Sequence, residues 1–355
     1  MKSPLGYDWP MRNRPSRRLP AEWEPQDAIL MAWPHTGTDW EPVLPDAHET
    51  FARIIAAITR FQEVILLVGD DPEPPLSRLD AAGAITSRIR LFTIPTDDTW
   101  TRDYGPITVE RDGLPLLLDF GFNGWGLKFR AFHDNQVTRR LHETGLVTPP
   151  RETVGMILEG GSIDSDGEGT ILTTTACLLH PNRNPQWTRQ EIERMLHLHL
   201  GAHRVLWLSN GHLEGDDTDA HIDTLARFVS PDTLCLVTCD DPADPHYLPL
   251  LAMRREIEGF STLRGGAYRL VELPLPSPIH DEDGNRLPAT HANFLILNGA
   301  VLVPTYDDPS DSIAIQRLSA IFPDRTVIGI DCRTLIRQHG SLHCVTMQLY
   351  RGTMK

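Results

Sequence analysis

The chain is expected to be an α/β protein built as a five-bladed α/β propeller with pseudo-fivefold symmetry, and three observations carry that expectation. A hairpin–helix–strand unit recurs with a period of roughly 50–70 residues, the self-similarity that marks propellers and solenoids. Each unit alone leaves sheet edges open, and radial closure protects them. The first unit has a single hairpin strand, Ala28–Trp33, while Cys344–Tyr350 reads as a strand left over at the other end. Pairing those two would complete the first hairpin and close a ring. A doubly wound sheet is the alternative, but repeated hairpins suit it poorly.

Residues 1–18 are rich in proline and arginine and read as an N-terminal arm, with 19–355 as a single domain. In the first unit Ala28–Trp33 stops at Pro34, Phe51, Ile54, Ile55 and Ile58 recur at helical spacing, and Glu63–Gly69 reads as a buried strand. The second unit opens on the polar run Asp97–Pro106. Its hairpin strands are Ile107–Glu110 and Leu116–Phe120 about Asp112-Gly113. A helix at about 132–144 and a β-like stretch near Val154–Leu158 complete it. In the third, Glu159-Gly160-Gly161 leads to a turn at Asp166-Gly167 and a return along Thr170–Thr175. Thr188 and Glu191 then form a capping box for a helix ending near Leu200, before a strand at Arg204–Leu208.

The fourth unit starts at Gly215–Asp223, with strands Leu225–Val229 and Leu234–Cys239, a helix near 247–259 and a strand at Tyr268–Leu273. The fifth starts at Thr290–Asn293, with Phe294–Leu297 and Ala300–Tyr306 about Asn298-Gly299, then a helix near Asp311–Ile321 and a strand at Thr326–Ile330.

A net charge of −15 argues against nucleic acid as a partner and favours small cationic ligands. The five cysteines (Cys177, Cys235, Cys239, Cys332, Cys344) are odd in number and scattered. Cys235 and Cys239 lack a matching Cys/His pair for zinc. A reducing compartment follows. Met1–Asp8 lacks the apolar core of a signal peptide and no run reaches membrane-spanning length, so the expectation is a cytoplasmic protein without a membrane partner. Whether it forms a homo-oligomer is left open.

In a ring, equivalent positions converge on one axis. Asp103, Glu159, the His221/Asp223 pair, Asn293 and Cys344 all fall where a hairpin begins. Singly, Asp103 and Glu159 read as turn or cap residues and Cys344 as a buried structural thiol. Together they read as an active site. Several carboxylates, one histidine and one thiol suit a flat, always-charged guanidinium, which paired oxygens grip bidentately. Such a cation would help ionise Cys344 as it binds, and the thiolate could then attack the guanidinium carbon. His221 would protonate the departing ammonia and later deprotonate water. A competing reading gives Asp216, Asp217, Asp219, His221 and Asp223 to a divalent metal in a metal-dependent hydrolase, with Cys344 incidental. A third is a silent guanidine-binding protein that kept the pocket. His339 and His343 read as loop and supporting residues.

Four of these stretches, Asp97–Pro106, Glu159-Gly160-Gly161, Gly215–Asp223 and His343–Thr346, resemble the agmatine deiminase / bacterial-type peptidyl-arginine deiminase family of guanidino-group-modifying enzymes. Trp23–Gln26, Trp33-Pro34, Phe122–Lys128 and Ala292–Phe294 extend the resemblance over nearly the whole chain. It implies a five-bladed propeller and Cys344 as a nucleophile forming an amidino-cysteine. It makes His221 the general acid/base, has Asp103 and Asp223 hold the guanidinium, and gives Glu159 a supporting role. Trp100 would wall the aliphatic stem and Asp217 meet a distal charge, with Asp97, Trp125 and Asn293 as further substrate contacts. No metal or organic cofactor is implied. The implied reaction is agmatine plus water to N-carbamoylputrescine plus ammonia, in putrescine and polyamine biosynthesis. Peptidyl-arginine or another alkylguanidine is the alternative. Ala220 stands where the family usually has glycine, the loop His339-Gly340-Ser341 is less glycine-rich than usual, and Met347 replaces a commonly polar residue.

Overall fold

The computed structural model describes residues 16–69 and 75–355, and its strands fall into five separate sheets of a mixed α/β fold. Four follow one plan, an antiparallel pair followed by a parallel strand that arrives after a helix. Ile107–Arg111 and Leu114–Gly121 are joined by Arg151–Ile157, Ile163–Ser165 and Thr170–Thr174 by Arg204–Leu208. Ala226–Ser230 and Thr233–Thr238 take Arg269–Pro274, and Leu295–Leu297 and Ala300–Thr305 take Thr326–Asp331. The connecting helices are long enough for the crossover that a parallel neighbour requires.

The fifth sheet joins the two ends of the chain. Met347–Tyr350 lies antiparallel to Gln26–Ala32, with Met347 opposite Leu30, as the unpaired strands suggested. Glu63–Val68 and Ile89–Thr93 extend it in parallel. The last of these was missed from sequence because Ile89-Arg90-Leu91-Phe92-Thr93 shows neither a continuous apolar run nor clean alternation. The C-terminal strand also starts later than expected. Thr346 N and Oγ1 both donate to His343 O (3.1 and 2.9 Å), so Cys344 sits in a tight turn just before the strand, not on it.

Of the expected arm, residues 1–15 lie outside the described residues. Arg17–Arg18 form a short edge strand on Glu110–Arg111. Arg17 grips Glu152 through two bonds of 3.0 and 2.8 Å, so charge pairing holds this edge in place.

Leu44–Thr59 packs its Phe51, Ile54, Ile55 and Ile58 face fully into the core, each side chain contributing roughly 1.5–3 kcal/mol of burial. The Thr188/Glu191 capping box forms as expected, and its helix stops at Gly201 in the left-handed region (φ 72°). A Cβ there would lie 1.9 Å from Arg17 O, so only glycine lets the edge strand pass. Among the described residues no helix is long and apolar enough to cross a membrane.

Candidate active site

The segments that begin each hairpin come together around one glycine. A Cβ built on Gly161 would stand 2.6 Å from His221 Nδ1, 2.9 Å from Asp103 Oδ1 and 3.1 Å from Asp223 Oδ2. Three functional groups from two units therefore converge on a glycine of a third, where only a hydrogen fits. Asp103 sits on the short turn Thr101–Tyr104, Glu159 just before the turn Gly160–Ser162, and His221 just before Ile222–Thr224, which carries Asp223. Asp219 and Ala220 are left-handed (φ 67 and 62°), which swings His221 and Asp223 inward.

Cys344 Sγ lies 3.4 Å from Asn293 Oδ1 and 3.9 Å from Asp223 Oδ2. Asn293 Oδ1 also accepts from His343 N (2.8 Å) and Cys344 N (3.4 Å), so Asn293 pins the turn that carries the thiol. His343 continues from Asp223: its Nδ1 lies 2.8 Å from Asp223 Oδ2 and its Nε2 2.7 Å from Glu22 Oε2. Asp223 Oδ1 is buried and has no hydrogen-bond partner among the described residues. On the other side, Asp103 Oδ1 accepts from Gly161 N and Oδ2 from Trp125 Nε1, both at 2.9 Å.

His221 bridges the two halves. Its Nδ1 is 3.7 Å from Asp103 Oδ1 and its Nε2 3.0 Å from Glu159 Oε2. Glu159 is fully buried, and Arg183 Nε lies 2.9 and 2.8 Å from its two oxygens. Arg183 goes on to Asp219 Oδ2 (2.6 Å) and Thr218 O (2.9 Å). Sequence reasoning missed Arg183 and Cys177, whose thiol approaches Glu159 Oε2 at 3.6 Å. The polar run Asn182-Arg183-Asn184 between two prolines was the available signal.

A cavity reaches this constellation from the surface. Cys344 and Asp103 line it, Trp100, Trp125 and Phe129 wall it, and Asp39, Asp98 and Asp217 add further acids. Among the described residues that line it there is no lysine or arginine. Gly340 lies flat on Trp100, where a Cβ would come within 2.2 Å of the ring. Of the substrate contacts expected from sequence, Trp100, Trp125 and Asp217 line the cavity. Asn293 stands behind Cys344. Asp97 does not line it: its Oδ2 accepts from His133 N (2.5 Å), and its neighbour Asp98 faces the cavity instead.

The electrostatics divide the site. Burial pushes the Cys344 thiol well above its usual range, and Asp223 and Asp103 push it further. Burial pulls His221 down, but Asp103 and the bond to Glu159 outweigh it and hold the ring well above the ordinary imidazole value. Burial works to raise Glu159, yet His221 and Arg183 hold it below the usual carboxylate range. Asp223 is likewise lowered against burial by His343, whereas burial raises Asp103 despite His221. Burial lifts Asp217 to about 6, with Asp216 adding to it. The resting site thus holds a neutral thiol, an imidazolium and a buried carboxylate oxygen with no donor among the described residues. Such a site is complementary to a planar cation with several N–H groups.

The aspartate run does not assemble as a metal centre. Asp216 is taken up by Thr218 and by Ala220 N (2.6 Å), Asp219 by Lys128 and Arg183, and Asp223 by His343. Only Asp217 faces the cavity. Glu159, Cys177 and His221 do bring ligand atoms within 4.8 Å of one another, but the Arg183 guanidinium already covers Glu159.

A family model described as Porphyromonas-type peptidyl-arginine deiminase matches residues 18–349. The agmatine deiminase of Pseudomonas aeruginosa (strain LESB58) is 36% identical over 93% of this chain and 95% of its own. A crystal structure named as a candidate peptidyl-arginine deiminase is 46% identical, with TM-score 0.91 over 95% of this chain and 99% of that one. A cysteine-to-serine agmatine deiminase from C. jejuni with substrate bound is 36% identical, with TM-score 0.89 over 98% of this chain and 99% of that one.

Proposed function

The chain belongs to the Porphyromonas-type peptidyl-arginine deiminase family, and from that premise we propose that it hydrolyses agmatine to N-carbamoylputrescine and ammonia. It is a hydrolase of C–N bonds in linear amidines. The observation that carries the reading is the thiol of Cys344 set between two buried carboxylates, one with an oxygen that has no partner among the described residues, in an aromatic-walled cavity.

The guanidinium is gripped between Asp103 and Asp223, its charge offsets the two carboxylates that keep the thiol protonated, and the thiol gives its proton up to solvent as the substrate binds. The thiolate of Cys344 attacks the guanidinium carbon. The His221 imidazolium gives its proton to one nitrogen, which leaves as ammonia, and an amidino thioether remains. His221, now neutral, takes a proton from water. The resulting hydroxide adds to the same carbon, the C–S bond breaks, and the ureido product departs as its hydroxyl proton passes to the sulfur. Glu159, held by Arg183, keeps His221 oriented. The acids Asp39, Asp98 and Asp217 favour a substrate ending in an amine. With no lysine or arginine among the described lining residues, one ending in a carboxylate is disfavoured.

Peptidyl-arginine, or another alkylguanidine, is the second reading, favoured by the 46% identity to a candidate peptidyl-arginine deiminase. The five sheets are read as blades about a central axis in one catalytic domain, supported by the pairing of Met347–Tyr350 with Gln26–Ala32. A cytoplasmic location is supported by five free cysteines. Ammonia release measured across agmatine, arginine and an arginine-containing peptide tests the substrate: agmatine should lead by orders of magnitude, and a peptide preference would overturn that assignment. Cys344→Ala should abolish turnover, and retained turnover would end the mechanism.

A further inference from the structure

Asp103 is held by a piece of backbone that L-residues adopt reluctantly. Gly124, Trp125, Gly126 and Leu127 have φ of 67, 54, 81 and 69°, four left-handed residues in a row. The turn is closed by Leu127 N donating to Asn123 O (3.0 Å) and Lys128 N to Gly124 O (2.9 Å). L-residues normally enter this region singly, because Cβ crowds the following carbonyl. A Cβ on Gly124 would also fall 2.3 Å from Phe129 O. Trp125 and Leu127 therefore sit where glycine would be favoured, and such strain persists only where the surroundings over-determine it.

The surroundings do so from two sides. Asn123 Oδ1 accepts from Gly126 N (3.0 Å), and two amides tie the turn to its neighbour: Asn123 Nδ2 donates to Asn182 O (2.8 Å) and Asn182 Nδ2 to Gly126 O (3.1 Å). Lys128 Nζ donates to Asp217 O (2.6 Å) and Asp219 Oδ1 (2.8 Å). The Trp125 indole is packed edge-on with Phe122 and Phe129, centroids 4.9 and 5.5 Å away. What emerges from this scaffold is a single polar contact, Nε1 to Asp103 Oδ2 at 2.9 Å. A flat wall could be offered by ordinary backbone; a buried N–H aimed at one carboxylate oxygen needs a defined ring direction.

We propose that the left-handed turn 124–127 aims the Trp125 indole N–H at Asp103, making Trp125 a positioning residue that fixes the plane of the carboxylate against the substrate. The inference rests on the deiminase reading above. With Gly161 N on one oxygen and Trp125 on the other, the carboxylate cannot rotate, and its remaining lone pairs face the guanidinium. The Trp125 bond also helps keep Asp103 ionised against burial, among the charges of His221, Asp223 and Glu159 that face it, with the neutral Cys344 thiol beside them.

The test replaces Trp125 by Phe and, separately, by benzothienylalanine, which keeps the two-ring shape but puts sulfur in place of N–H. Both should lower kcat/KM for agmatine by about 10–100-fold, the worth of a hydrogen bond to a charged group. Both should move the acid limb of the kcat/KM profile to higher pH while the melting temperature stays near wild type. A sulfur isostere with wild-type kcat/KM and acid limb would overturn the proposal and leave Trp125 as a wall. Should the wild-type protein release ammonia from no guanidine, the functional reading fails by itself. The positioning claim is then judged by a 13C-carboxylate titration of Asp103, which must move upward in the isostere and, if unmoved, refutes it.

Discussion

The two carboxylates that flank Cys344 are both buried, yet they are supported in opposite ways. Asp103 has both oxygens occupied by neutral donors, Trp125 Nε1 and Gly161 N, and burial raises it. Asp223 has one oxygen on His343, which is backed by Glu22 and, beyond it, Arg227 at 2.6 Å, and it is lowered. Its other oxygen has no partner among the described residues. The difference assigns different duties. Asp223 belongs to a charged network that keeps it ionised whether or not substrate is present. Asp103 carries a charge that depends on its neighbours and is completed by a cationic substrate.

The largest expected effect separates the two duties. Asp223→Asn breaks a buried ionic network and should cost about 3–5 kcal/mol in kcat/KM, or roughly 10²–10⁴-fold. Asp103→Asn should also cost activity, but the two losses should differ in their pH dependence. As pH falls, wild-type Asp103 protonates first, because its value is raised, so the ratio of wild type to Asp103→Asn should shrink. The ratio to Asp223→Asn should hold down to more acid conditions. Parallel pH profiles for the two ratios would remove the distinction.

The next effect sharpens the contrast in support. His343→Gln interrupts the chain from Glu22 to Asp223 and should lower kcat/KM by about 10–100-fold. It should leave the Asp103 half intact, so a double variant with Trp125→Phe should show additive losses. Strong non-additivity in a mutant cycle would mean that the halves act as one unit.

A smaller effect concerns Asp98, whose backbone carbonyl accepts from Tyr104 OH (2.7 Å) beside Asp103. Burial pushes Asp98 up to about 7, and Asp39 adds to it. The unfolded chain, with an ordinary value near ~3.9, gives up that proton more readily. Stability from this group is therefore present at low pH and lost as pH rises from about 4 through 7. Asp98→Asn lacks the loss, so its melting temperature relative to wild type should climb by roughly 2 °C between pH 5 and pH 8. A flat difference in thermal scans would show that the cavity keeps Asp98 well solvated.

Motif positions were legible in sequence because function there depends on residue type. Cys344, His221, Asp103, Asp223 and Glu159 were all named; His221, Asp103 and Asp223 meet at Gly161, with Glu159 against His221 and Cys344 beside Asp223. The joining of the two chain ends was legible for a different reason, since each end offered a strand without a mate. Direction was not legible. Nothing in Phe122–Lys128 says that Trp125 and Leu127 take left-handed backbone, because tertiary bonds from Asn182, Asp217 and Asp219 impose it. Asp97 and Asp98 are indistinguishable by type, and only the bond from His133 N decides which one turns away. Arg183 was hidden because its partner Glu159 is 24 residues away.

The smallest expected effect probes the backbone on the Asp223 side. Where the Asp103 half uses two glycines in its left-handed turn, the Asp223 half reaches the same region with Asp219 and Ala220 and no glycine. Ala220 at φ 62° bears a left-handed penalty of roughly 1–2 kcal/mol. Against that, alanine limits the unfolded chain by about 0.4–1 kcal/mol relative to glycine. Its methyl is also buried, contributing about 0.8 kcal/mol. The terms nearly cancel, which is why alanine is tolerated at this left-handed position. Ala220→Gly should change unfolding free energy by no more than about 0.5 kcal/mol and leave kcat within twofold, because Ala220 N stays on Asp216 (2.6 Å) and Ala220 O on Thr174 Oγ1 (2.8 Å). A destabilisation above about 1 kcal/mol in chemical denaturation would mean that methyl packing outweighs the strain. A loss of turnover without loss of stability would mean that the stiffness of Ala220 itself holds His221 and Asp223 in register.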